Sequence, residues 1–195
     1  MPLQFFPSEF VFFDKLEHHE KMTERFLGAI ERQYEEVRLH DQYEWSKETH
    51  NEMRNSFKTR DGFLETEEFR KDILSMYSKF RESFPFSSVA NKRDVEVQHI
   101  WWNLYPPGGY AEIHNHNGAN ISGVFVVEAD EKSQVVFLSN TSSSLSPDPE
   151  GFYRIRLGKS EIDAGSFVIF PSSMNHYVLP GNGRRITIAF NLIVS

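Results

Sequence analysis

The chain has 195 residues, a formal net charge of −7 and no cysteine. Its 39% hydrophobic and 14% aromatic residues exclude a disordered chain, and its length suits one domain. The negative charge argues against nucleic-acid binding by bulk electrostatics, and the lack of cysteine excludes disulfides and thiolate metal sites. No apolar run reaches the roughly 20 residues of a membrane helix, and the start lacks a basic leader, so we expect a soluble, cytoplasmic protein.

The first predicted elements are an extended segment and a helix. Residues 1 to about 13 alternate phenylalanine with polar residues and predict an edge strand or an extended arm. Asp14 and Glu17 resemble a capping box, which predicts that a helix of roughly 20 residues begins there. Its apolar side chains form one stripe: Met22, Phe26, Leu27, Ile30, Tyr34 and Val37. Signals are weaker over residues 41–61, where a short helix is indicated by Trp45, Met53 and Phe57.

A second strong helix is predicted after residue 65. Thr66 suits the N-cap, Glu67 and Glu68 suit the positive end of the helix dipole, and Pro85 ends the pattern. Its apolar stripe consists of Phe69, Ile73, Tyr77, Phe80 and Phe84. We expect both helical stripes to pack on a sheet rather than on a ligand.

After residue 93 the hydrophobic period changes from helical to two, which indicates strands. The candidate strands are 95–105, 110–116, 121–128, 134–139, 152–157, 160–163, 166–170, 175–179 and 185–193. Helices followed by about eight short strands predict an α+β fold: a double-stranded β-helix (jelly roll) with an N-terminal helical layer packed on one sheet. We predict that a helical region, 1–93, and the metal-binding core, 94–195, form one domain. Residues 139–151 read as a surface loop or a lid, and exposed N-terminal aromatics could form a homodimer interface.

Three histidines have a spacing that suits a metal site. His114 and His116 are two residues apart on a predicted strand, so both side chains can point to one side, and His176 follows on a later strand. Three imidazoles can bind Fe(II), Zn(II), Cu(II), Ni(II) or Mn(II). The plain alternative is a pair of turn or surface histidines. We interpret the remaining histidines as core or surface residues: His18, His19, His40, His50 and His99.

The last predicted strand carries an arginine on its polar face. Arg185, Thr187, Ala189 and Asn191 alternate with apolar residues, namely Ile186, Ile188, Phe190 and Leu192. An inward arginine needs an anionic partner; a carboxylate matches its fork, and Thr187 can add a hydroxyl donor. A metal and an arginine in one cavity would therefore bind an acidic small molecule. The alternative is a structural ion pair with one of the 28 acidic residues.

These motifs resemble a known superfamily. The chain is similar to Fe(II)/2-oxoglutarate-dependent oxygenases in a series of motifs: Asn103-Leu-Tyr105-Pro-Pro-Gly, His114-x-His116, His176 and Arg185-Ile-Thr187. The spacing of Asn-x-Tyr, proline, glycine and the first histidine closely matches the nucleic-acid demethylase branch. Residues 95–193 also resemble a family of 2-oxoglutarate oxygenases from bacterial and phage genomes. That family has a similar His-x-His followed by a Ser-Gly-Val strand, here Ile121-Ser-Gly-Val124.

The resemblance implies roles for eight residues. The metal ligands would be His114, His116 and His176, and the distal carboxylate of 2-oxoglutarate would bind to Arg185 and Thr187. Further contacts to the cosubstrate are implied for Asn103, Tyr105 and, more weakly, Asn191. The implied reaction is a hydroxylase-type oxidation by O2 of an unknown small molecule or protein side chain, coupled to decarboxylation of 2-oxoglutarate at Fe(II). No lid typical of nucleic-acid substrates is visible.

One position departs from the superfamily pattern. The superfamily normally has His-x-Asp or His-x-Glu, and here His116 replaces the carboxylate. A neutral third ligand leaves the iron one charge more positive, which favours anionic 2-oxoglutarate, and a three-histidine set also suits zinc. Glu112, two residues before His114, is an alternative source of a carboxylate ligand.

Two other readings remain open at the level of sequence. In a cupin, another jelly roll, Gly108 would precede His114-x-His116 by the expected interval, but the expected glutamate is missing and Ser173 stands in place of a glycine. A cupin-like three-histidine metalloprotein could be a 2-oxoglutarate-independent dioxygenase, an isomerase, or a metal or sugar binder; the pair Arg185 and Thr187 favours the oxygenase. The other reading is a non-enzymatic interaction protein with a vestigial site.

Overall fold

Two helices and ten strands make up the part of the chain that the computed structural model describes, residues 9–39, 53–56, 62–83, 94–139 and 154–195. The helices are α1 (Glu20–Leu39) and α2 (Glu67–Ser83). The strands are β1 (Phe12–Lys15), β2 (Arg54–Asn55), β3 (Val95–Tyr105), β4 (Ala111–His114), β5 (Ile121–Glu128), β6 (Val135–Leu138), β7 (Arg154–Leu157), β8 (Ser166–Pro171), β9 (Asn175–Val178) and β10 (Arg185–Val194). Neither helix is long and apolar enough to cross a membrane.

The strands form two antiparallel sheets. The larger sheet has the order β1-β8-β5-β10-β3-β2 and the smaller has the order β4-β9-β6-β7. From β3 onwards the chain moves back and forth between the two sheets, so consecutive strands lie on opposite sides of the core, except β6 and β7, which pair with each other in the smaller sheet. This winding is the double-stranded β-helix, and the predicted α+β jelly roll is confirmed.

Both helices cover the outer face of the larger sheet, as the apolar stripes predict. Phe26 of α1 packs edge-on against Phe69 of α2 at 4.9 Å between ring centroids, and Phe69 lies 5.6 Å from Phe125 of β5. The apolar face of β10 joins the same core through Ile186, Ile188, Phe190 and Leu192. The opposite face of β10 is therefore left to point between the two sheets.

The first helix begins later than the capping-box pattern predicts. Asp14 lies in β1, where it pairs with Phe167 of β8, and α1 starts only at Glu20 after a turn in which His18 has a φ of 57°. The backbone of residues 12–15 completes the edge of the larger sheet, and the Asp14 carboxylate accepts a hydrogen bond from Lys79 of α2 at 3.1 Å. Pairing with β8 thus overrides the local capping signal at Asp14. In α2, by contrast, the predicted N-cap is confirmed, because the Thr66 hydroxyl accepts a hydrogen bond from the Phe69 N–H at 3.3 Å.

Two other local predictions are wrong. Residues 160–163 form a turn rather than a strand, because the Gly158 carbonyl accepts from the N–H groups of Glu161 and Ile162. Residues 54–55 belong to a strand that pairs with β3, not to a short helix. The predictions for Trp45, Phe57, Phe84 and most of the loop 139–151 concern residues outside the described part of the chain, and the side chain of Val37 also lies outside it.

Candidate metal centre

Three histidines converge between the sheets. His114 ends β4 and pairs directly with His176 of β9, while His116 follows two residues later, its N–H donating to the carbonyl of Ser172. One nitrogen from each ring lies within 4.8 Å of the other two. A shared ion with bonds of about 2.1 Å would hold such atoms roughly 3–4 Å apart, so only small ring rotations separate this arrangement from ligation. The Glu112 carboxylate is not part of the group.

The hydrogen bonds of the three rings leave one kind of nitrogen for a metal. The Nδ1 atoms of His114 and His176 lie 2.7 Å and 3.1 Å from the carbonyl oxygens of Glu112 and Met174. The Nδ1 of His116 lies 3.1 Å from the side-chain oxygen of Asn191. Since these oxygens only accept, each Nδ1 carries the proton and each Nε2 keeps its lone pair. Such oxygen acceptors are the usual outer partners of metal-bound histidines, so the residues fit a divalent ion.

Burial keeps the rings neutral. It lowers the pKa of His116 to about 4, with a further lowering by the neighbouring His114. Burial also lowers the pKa of His176 well below its ordinary value, and repulsion from the other two rings acts in the same direction. Neutral imidazole is the form that binds metals, so these two ligands need lose no proton at pH 7.

We expect the metal-free protein to lose stability on mild acidification. An unfolded histidine takes up a proton near pH 6.5, whereas folded His116 resists until about pH 4. Between these values the unfolded state binds more protons, so the free energy of unfolding decreases as the pH is lowered, by about 2 kcal/mol from pH 7 to pH 5 for His116 alone. Urea unfolding of chelator-treated protein at pH 7, 6 and 5 measures this, with His116→Asn showing a shallower dependence. Equal stability at pH 7 and 5 would contradict it.

A buried arginine lies in the same cavity as the histidines. Arg185 is 3% exposed, and its Nε has no hydrogen-bond partner among the described residues. Burial lowers its pKa, although Tyr105 and Asp130 act in the opposite direction. The predicted alternative, a structural ion pair, is not found for Arg185 within the described part of the chain; it is Arg184 that pairs outward, with Glu31 at 2.6 Å and Glu128 at 2.7 Å.

Two cross-strand pairs surround the guanidinium. Arg185 lies opposite Tyr105, and Thr187 lies opposite Asn103, whose amide donates to the threonine hydroxyl at 3.5 Å. Burial raises the pKa of Tyr105 to about 12, so its phenol stays neutral and can donate a hydrogen bond. All the predicted site residues line one cavity of about 460 Å³: Asn103, Tyr105, His114, His116, His176, Arg185, Thr187 and Asn191.

The cavity is also lined by residues that the sequence patterns did not identify as site residues. Trp101 lies two positions before Asn103, with its ring 5.3 Å from that of His116, and the period of two along β3 could have identified it. Met53 and Asn55 come from the N-terminal half, where the periodic signal is weak. They reach the cavity only because β2 pairs with β3, a contact that no local pattern indicates.

The comparison with protein families identifies the same region. Residues 99–191, just under half of the chain, match the model of a family described as "Putative 2OG-Fe(II) oxygenase". This match covers all three histidines and Arg185 but not Met53 or Asn55. No curated protein matches the chain significantly.

Several solved structures share the fold. A prolyl-4-hydroxylase of Pseudomonas putida is 16% identical, with 93% of this chain and 91% of that chain covered at a TM-score of 0.53. A prolyl hydroxylase of Trichoplax adhaerens, in complex with a hypoxia inducible factor peptide fragment, is 11% identical, with 94% and 83% covered at a TM-score of 0.57. The epimerase SnoN, in complex with Fe3+, alpha ketoglutarate and nogalamycin RO, is 10% identical, with 95% and 79% covered at a TM-score of 0.61.

At these identities the structural likeness establishes the jelly-roll fold alone. The family match goes further, because it falls on the strands that carry the histidines and the buried arginine. It also separates the two jelly-roll readings of the sequence in favour of the oxygenase over the cupin. Over residues 99–191 the chain is therefore similar to the 2OG-Fe(II) oxygenase family, enzymes whose metal and cosubstrate are iron(II) and 2-oxoglutarate.

Proposed function

We propose that this oxygenase is a hydroxylase-type dioxygenase that uses His114, His116 and His176 to hold iron(II) and Arg185 to bind 2-oxoglutarate. One observation carries the proposal. A guanidinium that is 3% exposed, with no ion-pair partner among the described residues, lines the same cavity as three converging imidazoles. A buried unpaired charge is costly, so it is typical of a site whose partner is a ligand.

The three imidazoles supply neutral ligands. Each Nε2 has a free lone pair because each Nδ1 donates to an oxygen, and burial keeps His116 and His176 unprotonated at pH 7. The set adds no negative charge to iron(II), so the dianion 2-oxoglutarate would neutralise it. Bound iron(II) and 2-oxoglutarate supply the oxidising chemistry: one oxygen atom of O2 enters the substrate and the other enters succinate, with loss of CO2.

The cosubstrate carboxylate would be bound at the inner end of the cavity. The Arg185 guanidinium offers a fork of N–H donors, and the neutral phenol of Tyr105 and the hydroxyl of Thr187 are further donors on the same face. Asn103 orients the threonine through its amide. In this arrangement the residues bind and orient the cosubstrate, and no side chain acts as a general acid or base.

The substrate is a small molecule or a protein side chain. Exposed residues around His114 lie at the mouth of the cavity, among them Glu112 and Ile113, whose side chain is 62% exposed. The net charge of −7 supports neither DNA nor RNA as substrate. A cytoplasmic location and a homodimer stay predictions from the sequence.

Anaerobic titration of the metal-free protein with Fe(II) and 2-oxoglutarate tests the proposal. We expect a weak visible charge-transfer band that needs both additions, because 2-oxoglutarate bound to iron(II) through its keto-acid end would give such a band. Titration with succinate in place of 2-oxoglutarate is the control, since succinate lacks the keto group and should give no band. Protein that binds Fe(II) yet shows no band with 2-oxoglutarate would contradict the proposal and favour the cupin-like reading.

A further inference from the structure

A buried polar cluster lies behind one of the three histidines. The Asn191 Oδ1 atom is 3.1 Å from His116 Nδ1 and 2.8 Å from the hydroxyl oxygen of Ser122, and that hydroxyl oxygen is 2.7 Å from the hydroxyl oxygen of Ser172. Ser122 and Ser172 are buried, and Asn191 lies directly opposite Ser122 between β10 and β5. Asn191 and Ser122 therefore lie on two paired central strands of the larger sheet, and Ser172 lies in the turn just after β8.

The hydrogen bonds of this cluster have a definite direction. An amide oxygen only accepts, so Ser122 donates to Asn191 and His116 donates from Nδ1. Ser122 has then used its proton, so it accepts from Ser172. Ser172 is held in turn, because its N–H donates to the carbonyl of Asn120 and its own carbonyl accepts from the N–H of His116.

His116 differs from the other two histidines in what fixes its tautomer. His114 and His176 donate to backbone carbonyls, which no substitution removes. His116 depends on one side chain, Asn191. If the Asn191 amide were reversed, its NH2 group would face His116, the ring proton would move to Nε2 and the lone pair for the metal would be lost.

We infer that Asn191 is a positioning residue of the metal centre, which holds His116 in the Nδ1–H tautomer so that Nε2 faces the other two rings. Ser122, itself bonded to Ser172, donates to the same amide oxygen. This inference rests on the proposed metal site, and it gives Asn191 a role different from the cosubstrate contact that the family resemblance implies. Mutation of a residue that hydrogen-bonds to a metal-binding histidine typically lowers metal affinity 10–100-fold.

The ring nitrogens of the metal-free protein provide a direct test. Long-range 1H–15N correlation spectra distinguish a protonated from an unprotonated nitrogen, and His116→Gln assigns the signals. We expect His116 to carry its proton on Nδ1 in the wild-type protein. A proton on Nε2 would overturn the inference without bearing on 2-oxoglutarate binding, and this measurement requires no variant of Asn191 to fold.

Variants of Asn191 test the consequence for the metal. Asn191→Leu removes the acceptor at similar volume, and we expect a mixture of tautomers and a 10–100-fold weaker affinity for Fe(II) or Zn(II). Asn191→Asp restores an acceptor, so the Nδ1–H tautomer and tight metal binding should return. A merely structural role would not produce this rescue. Wild-type metal affinity and tautomer in Asn191→Leu would contradict the inference.

Asn103→Leu is the matched control, because Asn103 is a second amide in the same cavity but bonds to Thr187 instead of a histidine. We expect this variant to keep the His116 tautomer and the metal affinity and to bind 2-oxoglutarate less tightly. Loss of metal affinity in both amide variants would contradict the inference, since it would show that any substitution of an amide in this cavity weakens metal binding. Trp101, 5.3 Å from His116 between ring centroids, provides a fluorescence signal for these titrations.

Discussion

Replacing Arg185 by methionine is expected to weaken 2-oxoglutarate binding at least about 100-fold while metal affinity stays unchanged. Truncating one member of a buried, hydrogen-bonded charge pair costs about 2–5 kcal/mol, and 100-fold corresponds to about 2.7 kcal/mol. Arg185 is 3% exposed, so water cannot replace the lost donors. Calorimetric titration of the Zn(II)-loaded protein with 2-oxoglutarate measures the loss of cosubstrate affinity. Titration of the metal-free protein with Zn(II) alone shows whether metal affinity is unchanged.

The same substitution should not destabilise the protein in the absence of cosubstrate. Among the described residues Arg185 has no ion pair to lose, and replacing a buried unpaired charge by an apolar side chain is neutral or favourable. We therefore expect an unchanged or higher melting temperature, together with loss of the stabilisation that 2-oxoglutarate gives the wild-type protein. A structural role for Arg185 predicts the opposite pattern.

The neighbouring arginine is the matched control. Arg184 pairs with Glu31 and Glu128 at the surface, so Arg184→Met should cost at most about 1 kcal/mol of stability and leave 2-oxoglutarate affinity unchanged. Equal 2-oxoglutarate affinity in the wild type and Arg185→Met would refute the assignment of the carboxylate site.

Strict periodicity made much of this fold predictable. Along β10, alternation alone separates Ile186, Ile188 and Phe190, which pack under the helices, from Arg185 and Thr187, which face the cavity. A strand has two faces, so once one face is known to be buried, a pattern of period two determines which side chains point to the other face. The helical stripe of α2 was equally informative, because its residues Phe69, Ile73, Tyr77 and Phe80 all reach the core.

The failures have a different origin, because they occur where distant backbone decides the outcome. Asp14 has a good capping pattern, yet pairing with β8 makes it part of a strand. Asn55 reaches the cavity through a two-residue strand that exists only in the presence of β3. Local propensity is a weak prior, and it loses when hydrogen bonds from another part of the chain are available.

The histidines and the arginine of the candidate site were predictable from the sequence, but the hydrogen bonds that hold them were not. His114 and His116 share one face of the predicted strand 110–116, although β4 ends at His114, and His176 was placed with them by motif resemblance. The contacts of Asn191 with His116 and Ser122 join residues 75 and 69 positions apart. No spacing rule covers a contact at that separation. The structure therefore gives this asparagine a hydrogen-bonding partner that its position on a polar strand face could not identify.

Replacing His176 by alanine is expected to give the largest loss of metal binding in this protein. His176 is 4% exposed and contributes one of only three ligand nitrogens in the group, so two ligands would remain. We expect Fe(II) affinity to fall by well over about 100-fold, which is the upper end of the effect of an outer-shell partner. Anaerobic Fe(II) titration, followed by Trp101 fluorescence, measures the affinity, and the visible band with 2-oxoglutarate should disappear.

Metal binding could also be lost because the variant does not fold. The melting temperature of the metal-free protein distinguishes loss of folding from loss of a ligand. The His176 ring packs against Phe170 and Phe137 at the wall of the existing cavity, so its removal widens that cavity and leaves the sheets paired. His18→Asn is the control, since His18 is exposed in a turn with a φ of 57°, a conformation that asparagine tolerates.

The thermal effect of the metal follows from the same affinity. At a metal concentration of 100 times Kd the wild-type protein gains about 2.7 kcal/mol, equivalent to roughly 5–10 °C for a chain of this size. His176→Ala should gain almost nothing under those conditions, whereas His18→Asn should gain as much as the wild type. Because the three ligands act as a unit, adding His114→Ala to His176→Ala should cost little more. Wild-type metal stabilisation in His176→Ala would show that the three rings do not bind a common ion.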